Sequence, residues 1–202
     1  MLLVALFVLA YLIGSIPTGY LICRYCFNID VTQHGSGNIG ATNVARVLGK
    51  GIKYFVFIFL IDAAKAYLSL YAANYFFVHN LLINAAQVQN YILLLACAVL
   101  LGNAHSIFLK FKGGKGVATS LGIIVYLIPV SLVLLFLASW LIILAFTRRV
   151  FMASIGATII MTGMYGYLYF TGNNLLFYFL IIICYWLILR HRANIKLFLH
   201  SH

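Results

Sequence analysis

The segment "KFKGGKG", residues 110–116, is highly polar for a chain in which 7% of the residues are charged, and it lies between two long apolar runs. Glycine lets backbone N–H groups approach an oxyanion and lysine adds positive charge, so this composition suits a phosphate. The candidate residues are Lys110, Lys112, Gly113, Gly114, Lys115 and Gly116. Basic residues that only mark the cytoplasmic side of a membrane are the alternative, which leaves the glycines unexplained.

A second segment, "DVTQHGSGNIGATNVAR" over residues 30–46, combines glycines with neutral hydrogen-bonding side chains and one arginine. Arginine can bind a phosphate through two parallel N–H groups. The candidate residues are Ser36, Asn38, Gly40, Thr42, Asn43 and Arg46. The spacing Gly35 to Gly40 also matches G-x-G-x-x-G, but a dinucleotide site needs a strand in a soluble βαβ unit, which this sequence lacks. A glycine-rich turn with a solvated arginine is the simpler alternative.

The composition indicates the environment in which these segments must lie. Hydrophobic residues make up 65% of the 202, and the mean hydropathy is +1.10, which is typical of an integral membrane protein. Asp30 and Asp62 are the only acidic residues, which argues against a pair of catalytic carboxylates. The net charge of +11 favours contact with anionic lipid headgroups over nucleic acid. Cys23 and Cys26 lack a second ligand pair, so we expect neither a metal site nor a cofactor.

The apolar runs predict an all-α membrane domain that spans residues 1–202, with its N-terminus outside and its C-terminus in the cytoplasm. The runs cover roughly 2–23, 54–78, 81–102, 117–146, 150–171 and 174–189. Twelve of the thirteen Lys and Arg residues fall in the loop after the first run, the two central loops and the tail. The connections near 79–80 and 172–173 carry none. The positive-inside rule therefore places all the basic loops in the cytoplasm.

Residues 117–146 lie between two basic loops and must cross the membrane an even number of times. Two full crossings need about 40 residues, whereas this run has 30. Gly122 and Pro129 interrupt it, so we predict two short or tilted helices that meet near 127–129, and seven transmembrane helices in total. The alternative is one long crossing, which would place Arg148 and Arg149 outside.

Asp62 and Lys65 are the only charged residues inside a predicted span. Charged residues at membrane depth are candidates for a functional site. They could equally neutralise each other, because they lie three residues apart on one helix. We favour this structural interpretation, since the sequence offers no other deep charge for a proton relay.

Five segments together resemble the bacterial acyl-phosphate:glycerol-3-phosphate acyltransferases. They are "GSIPTGYL" (14–21), "GSGNIGATNVAR" (35–46), "DAAK" (62–65), "FLKFKGGKGVATSLG" (108–122) and "RHRANIK" (190–196). The resemblance covers nearly the whole chain and keeps the motifs in the family's order. It implies a seven-helix enzyme of the bacterial inner membrane, whose active site faces the cytoplasm.

By this resemblance the enzyme transfers a fatty acyl group from acyl phosphate to position 1 of sn-glycerol 3-phosphate, giving lysophosphatidic acid and inorganic phosphate. The implied reaction-centre residues are Ser36, Arg46, Lys110, Ser154, His191 and Asn194. The KFKGGKG segment is assigned to the acyl phosphate, and Thr119 is a further substrate-binding candidate. Besides its substrates, only membrane lipids are expected as partners, with no obligate protein partner. A transporter of a phosphorylated solute is the rival function, since helix termini also bind anions in transporters.

The sequence departs from the family pattern at several places, among them three near these motifs. Asn103 replaces the usual histidine, Thr32 the usual arginine, and Phe151 a serine. Two candidates remain for the general base. One is His191, and the other is a phosphate of the bound substrates, whose second pKa of about 6 lets its dianion accept a proton. We favour the phosphate.

Overall fold

The computed structural model describes residues 1–49, 51–80, 84–170, 172 and 174–200, and for Asn80 only the backbone. Over these residues the chain is helical, with no β-strand, which confirms the all-α prediction. The α-helices are α1 (Leu2–Ser15), α2 (Thr18–Phe27), α3 (Ala41–Val47), α4 (Gly51–Asn80), α5 (Ala85–Ala104), α6 (Val117–Leu127), α7 (Val130–Thr147), α8 (Val150–Tyr169), α9 (Leu175–Arg190) and α10 (Arg192–Leu199). Lys50 and Asn173, which belong to predicted loops, lie outside the described residues.

Among the described residues, α4, α5, α7 and α8 are long and apolar enough to cross a membrane. The number rises to six if the bent pairs α1–α2 and α9–α10 each form one crossing. Large apolar side chains on these helices are exposed, among them Leu60, Leu134 and Tyr167. Such surfaces are unfavourable in water and are typical of helices that face lipid. The protein is therefore a multi-pass membrane protein.

The predicted break within residues 117–146 is confirmed, because α6 ends at Leu127 and α7 begins at Val130. Pro129 has no backbone N–H and occupies the N-cap position of α7, where a helix tolerates proline. The two helices differ in length. At 18 residues α7 can cross a membrane, whereas α6 has 11.

The apolar run over residues 2–23 is not one straight helix but lies in the bent pair α1 and α2. The chain bends by 44° between α1 and α2. Ile16 adopts an extended ψ of 113°, because the ring of the following Pro17 disfavours helical backbone in the residue before it. The predicted connection near 79–80 is also misplaced, since α4 continues through Asn80. Residues 81–83 lie outside the described part of the chain.

The helices form two compact units, Met1–Tyr126 and Leu127–His202. In the first unit α1 and α5 pack closely, since a Cβ atom at Gly14 or Gly102 would overlap backbone atoms of the other helix. In the second unit α8 packs against α7 at Gly156 and Ile143, and against α9 at Gly166 and Phe177. Small residues permit such close approach of helices in a membrane. That residues 1–202 act as a single domain stays a prediction.

Candidate functional site

The first glycine segment forms a loop between α2 and α3, called loop 1 (residues 28–40) below. The Asn43 side chain, 3% exposed, organises its backbone. Its Oδ1 accepts the N–H of Ser36 (3.0 Å), and its Nδ2 donates to the carbonyls of His34 (3.0 Å) and Asn38 (2.9 Å). Asn43 therefore holds the shape of the loop, and its amide faces the loop rather than a phosphate.

Other predicted ligands of loop 1 divide into internal and exposed groups. The Gly40 N–H donates to the Asn38 side chain (2.7 Å), so this pair also stabilises the loop. Ser36, Thr42 and Arg46 are exposed. Three of the predicted groups can therefore reach a ligand. They are the Ser36 hydroxyl at the tip of the loop, and the Thr42 hydroxyl and Arg46 guanidinium on α3.

Gly35 and a 3₁₀ turn give loop 1 its path. Gly35 has φ +62°, and a Cβ atom there would overlap the Asn43 side chain, so glycine is required. The 3₁₀ turn Val31–Gln33 begins at Asp30, whose carboxylate accepts the Thr32 N–H (3.0 Å) and Thr32 hydroxyl (2.6 Å). These hydrogen bonds, the hydroxyl's first, lower the pKa of the Asp30 carboxyl. Thr32 is thus part of this turn.

The second glycine segment begins as a tight hairpin after α5, called loop 2 (residues 105–116) below. Ser106 and Lys112 form an isolated antiparallel bridge, in which the Ser106 N–H donates to the Lys112 carbonyl (3.2 Å). The Phe111 N–H donates to the Ser106 carbonyl (2.8 Å). Lys110 and Phe111 at the tip have φ values of +53° and +61°, which non-glycine residues rarely adopt. The hairpin therefore presents Lys110 and Lys112 as exposed cations.

The glycines of loop 2 pack against the end of α5. A Cβ atom at Gly113 would overlap the Asn103 carbonyl oxygen, and one at Gly114 would lie 3.0 Å from the Asn103 side-chain oxygen. The Gly114 N–H donates to the Asn103 carbonyl (2.9 Å). The Gly114 N–H, a predicted phosphate donor, joins loop 2 to α5 in this structure.

The first turn of α6, directly after loop 2, contains two buried hydroxyl groups. Thr119 and Ser120 are each 1% exposed, and neither hydroxyl has a hydrogen-bond partner in the part of the chain that the structure describes. An unsatisfied buried hydroxyl costs about 1–3 kcal/mol. The N-terminal turn of a helix also carries unpaired N–H groups and the positive end of the helix dipole. Thr119 is among the residues predicted from the sequence, whereas Ser120 is not. Its position next to Thr119 on the same turn is the feature of the sequence that could have indicated it.

Ser154, in the second unit, is completely buried. Its hydroxyl donates to the Val150 carbonyl (2.9 Å) and accepts the Trp140 indole N–H (3.2 Å). In this geometry Ser154 joins α8 to α7. Its predicted role in the reaction centre stays a prediction.

His191 lies at the 55° bend between α9 and α10. Its ring is 3% exposed, and its Nδ1 lies 2.9 Å from the Leu187 carbonyl oxygen. A carbonyl only accepts, so Nδ1 carries the proton, and in the neutral ring Nε2 carries the lone pair. Asn194 follows on the first turn of α10 and is half-buried.

Phe151 contacts both sides of this bend. Its ring stacks on His191 with centroids 6.3 Å apart, and it meets Phe198 of α10 edge-on at 6.3 Å. The Arg149 guanidinium lies 4.3 Å from the centre of the Phe198 ring. Phe151 therefore helps to fix the His191 ring by aromatic packing.

No group of three or more His, Cys, Asp or Glu side chains could hold a metal ion among the described residues. The four cysteines are free thiols, with Cys23 buried and Cys26 exposed. The site chemistry of the described residues thus consists of hydroxyls, amides, cations and one buried imidazole.

Comparison with known proteins places this geometry among membrane acyltransferases. Residues 4–201 match the family model described as Glycerol-3-phosphate acyltransferase. A glycerol-3-phosphate acyltransferase of Fusobacterium nucleatum is 40% identical over 190 residues, covering 94% of this chain and 90% of that protein. The protein of the same name from Bacillus subtilis is 37% identical over 198 residues, covering 97% and 93%.

Two crystal structures of PlsY, an integral membrane glycerol 3-phosphate acyltransferase, are similar along the entire chain. The glycerol 3-phosphate form has a TM-score of 0.83 and 35% identity, covering 100% of this chain and 94% of that one. The lysophosphatidic acid form has a TM-score of 0.80 and 34% identity, covering 100% and 93%.

Proposed function

Because the chain belongs to the glycerol-3-phosphate acyltransferase family, we propose that it transfers a fatty acyl group to sn-glycerol 3-phosphate, with acyl phosphate as the donor. The acceptor is glycerol 3-phosphate and the product is lysophosphatidic acid, as in the two forms of the PlsY structure. Position 1 as the site of acylation and acyl phosphate as the donor are the finer parts of the proposal.

The pair of unpartnered hydroxyls on α6 carries the assignment of the donor site. Thr119 and Ser120 follow a loop that contains Lys110, Lys112 and Lys115. A phosphate at the start of α6 would accept hydrogen bonds from both hydroxyls and from the first N–H groups of the helix. It would also neutralise nearby positive charge.

The remaining roles follow the family motifs. Loop 1 and α3 offer Ser36, Thr42 and Arg46 to glycerol 3-phosphate, while Asn38, Gly40 and Asn43 keep the loop in shape. Lys110, Ser154, His191 and Asn194 complete the proposed reaction centre. The enzyme needs no cofactor, metal or obligate protein partner on this proposal, and the acyl chain lies among apolar helices.

In the proposed reaction the hydroxyl oxygen of glycerol 3-phosphate attacks the acyl carbonyl carbon. The bond between that carbon and the phosphate oxygen breaks, and inorganic phosphate leaves with the electron pair. The hydroxyl proton passes to a phosphate dianion of the bound substrates, whose second pKa is about 6. His191 and Asn194 hold the acceptor. Lysine and arginine side chains stabilise the charge that develops on the oxygens.

Topology follows from the charge distribution. We propose seven crossings in the bacterial inner membrane, with the N-terminus outside and the C-terminus and both glycine loops in the cytoplasm. This arrangement keeps twelve of the thirteen basic residues on one side.

Replacing the unpartnered hydroxyls of Thr119 and Ser120 tests the donor site. In the double variant Thr119→Val, Ser120→Ala, we expect kcat/KM for acyl phosphate to fall about 10- to 100-fold, because hydrogen bonds to a charged group contribute about 1.5–3 kcal/mol. Thermal stability should not fall, since no protein partner loses a hydrogen bond. Lysophosphatidate formation by purified protein at saturating glycerol 3-phosphate measures the first effect, and a melting curve the second.

Ser139→Ala is the matched control, because this buried α7 hydroxyl bonds only to the Phe136 carbonyl of its own helix (3.0 Å). Its donor kinetics should match wild type. Wild-type donor kinetics in the double variant would refute the α6 phosphate site.

His191→Gln separates the two candidate bases. If a substrate phosphate accepts the proton, we expect the KM for glycerol 3-phosphate to rise about tenfold while kcat changes little, since one hydrogen bond to a charged group is lost. Activity of both proteins should decline as pH falls below about 6. His79→Gln, at an exposed position on α4, is the control. Loss of turnover at saturating acceptor with unchanged binding would instead make His191 the base.

A further inference from the structure

The bend between α1 and α2, residues 15–18, is called the α1–α2 junction here. Pro17 interrupts the helix, so the carbonyls of Ser15 and Ile16 lose their usual helical partners. Side chains from elsewhere bond to them. The Ser106 hydroxyl donates to the Ser15 carbonyl (2.6 Å), and the Lys65 ammonium donates to the Ile16 carbonyl (2.8 Å), which also accepts the Thr18 N–H (3.1 Å). An unsatisfied backbone group in the membrane would cost several kcal/mol. The junction therefore depends on contacts with α4 and loop 2.

Asp62 binds the other side of the same proline. Its Oδ1 accepts the Thr18 hydroxyl (2.9 Å) and pairs with the Lys65 ammonium (2.7 Å). The predicted ion pair is thus confirmed, but it does more than neutralise itself. Each member also binds the junction, one residue to either side of Pro17. The hydrogen bonds help offset the cost of burying two charges.

The junction touches loop 1 through α2. A Cβ atom at Gly19, on the first turn of α2, would overlap the carbonyl oxygen of Ile39. Ile39 lies in loop 1 between Asn38 and Gly40 and is itself buried. Any shift of the start of α2 therefore moves the backbone of loop 1.

The junction touches loop 2 through Ser106, the residue that closes the hairpin with Lys112. The Tyr11 hydroxyl of α1 adds a hydrogen bond to the His105 carbonyl (2.7 Å). The helix after loop 2 also rests on α4, since a Cβ atom at Gly122 would overlap the carbonyl of Ala63, the residue next to Asp62. Both glycine loops are thus supported from one polar cluster.

We propose that Asp62 and Lys65 are positioning residues that hold the acceptor and donor phosphate loops in a fixed relation through the α1–α2 junction. This inference rests on the proposed function of the two loops. Acyl transfer needs the hydroxyl of one phosphate ester within attack distance of the acyl carbon of another, and a misplacement of about 1 Å can cost roughly 100-fold in rate. A rigid connection between the two loops provides that alignment.

The double variant Asp62→Leu, Lys65→Met tests the proposal, because it leaves no unpaired buried charge. If the pair only neutralised itself, this apolar replacement would be at least as stable and as active as wild type. We expect instead that kcat/KM falls roughly 10- to 100-fold for glycerol 3-phosphate and acyl phosphate alike, in protein that still melts cooperatively.

Variants that affect one loop at a time provide the comparison. Asn43→Ala should weaken the use of glycerol 3-phosphate alone, and the Thr119→Val, Ser120→Ala variant should weaken the use of acyl phosphate alone. Thr18→Val keeps the ion pair but removes its hydroxyl link to Asp62, and it should lower kcat/KM about threefold for both substrates. Thr18→Val decides the question if the Asp62→Leu, Lys65→Met variant fails to fold.

Two outcomes in the folded double variant or in Thr18→Val would overturn the coupling. One is unchanged kinetics for both substrates, and the other is a defect confined to one of them. Failure of the proposed function looks different. Wild-type protein would then form no acyl ester and would not bind glycerol 3-phosphate by calorimetry. In that case the activity would already be absent from the wild-type protein.

Discussion

Arg46→Ala is expected to lower kcat/KM for glycerol 3-phosphate by about 10²- to 10³-fold. A guanidinium can donate two parallel hydrogen bonds to a phosphate, each contributing about 1.5–3 kcal/mol. Arg46 is exposed in the last turn of α3, which directly follows loop 1. The first turn of the same helix contains Asn43, whose side chain fixes that loop. The arginine is therefore held at the edge of the proposed acceptor site while its own side chain can reach a ligand.

Two further variants make this measurement specific. Arg46→Lys keeps the charge but cannot bind in the same two-pronged way, so an intermediate loss of about tenfold is expected. Arg24→Ala removes an exposed arginine from the last turn of α2 and should retain wild-type kinetics. Initial rates with varied glycerol 3-phosphate and saturating acyl phosphate measure all three. Equal losses in Arg24→Ala and Arg46→Ala would mean that net charge, and not a specific phosphate contact, controls activity.

Gly102→Leu is expected to abolish folding of the first unit. A side chain at this position would overlap the Tyr11 carbonyl and approach the Ser15 amide nitrogen within 2.8 Å. These are backbone atoms that cannot rotate away, so α1 and α5 would have to separate. Overpacking usually costs about 1–3 kcal/mol, and this substitution should exceed about 4 kcal/mol, in the exceptional range for one residue.

Gly163→Leu is the matched control, because no atom lies within 4 Å of a Cβ atom at this α8 glycine. The yield of monodisperse protein in detergent and its melting temperature measure both effects. We expect aggregation or loss of Gly102→Leu and near-normal recovery of Gly163→Leu. Stable, monodisperse Gly102→Leu protein would show that α1 and α5 are not packed as closely as the structure indicates.

Several parts of the site could be predicted because they depend on local composition. The KFKGGKG segment combines glycine and lysine within seven residues, and the start of α6 directly after it follows from the return of apolar residues. The break near Pro129 follows from the missing N–H of proline. The Asp62–Lys65 pair follows from their spacing on one helix.

The detailed roles of side chains could not be predicted, since they depend on partners far away in the sequence. Asn43 and Ser154 have the same polar groups as a ligand-binding residue, and the sequence does not show that in this structure both side chains bond to other parts of the protein. Ser120 resembles any helical serine until its burial and missing partner are seen. Pro17 predicts a bend but does not reveal which groups satisfy the released carbonyls.

The membrane environment, the helical class, the two glycine-and-cation loops and the family to which their motifs point could all be read from the sequence. These properties follow from hydropathy, charge and short motifs, each of which lies within a few consecutive residues. The hydrogen bonds from Ser106 to the Ser15 carbonyl, 91 positions apart, and from Thr18 to Asp62, 44 positions apart, depend on how the helices pack in three dimensions. Such contacts arise because a buried polar group must find a partner wherever the packing of helices offers one.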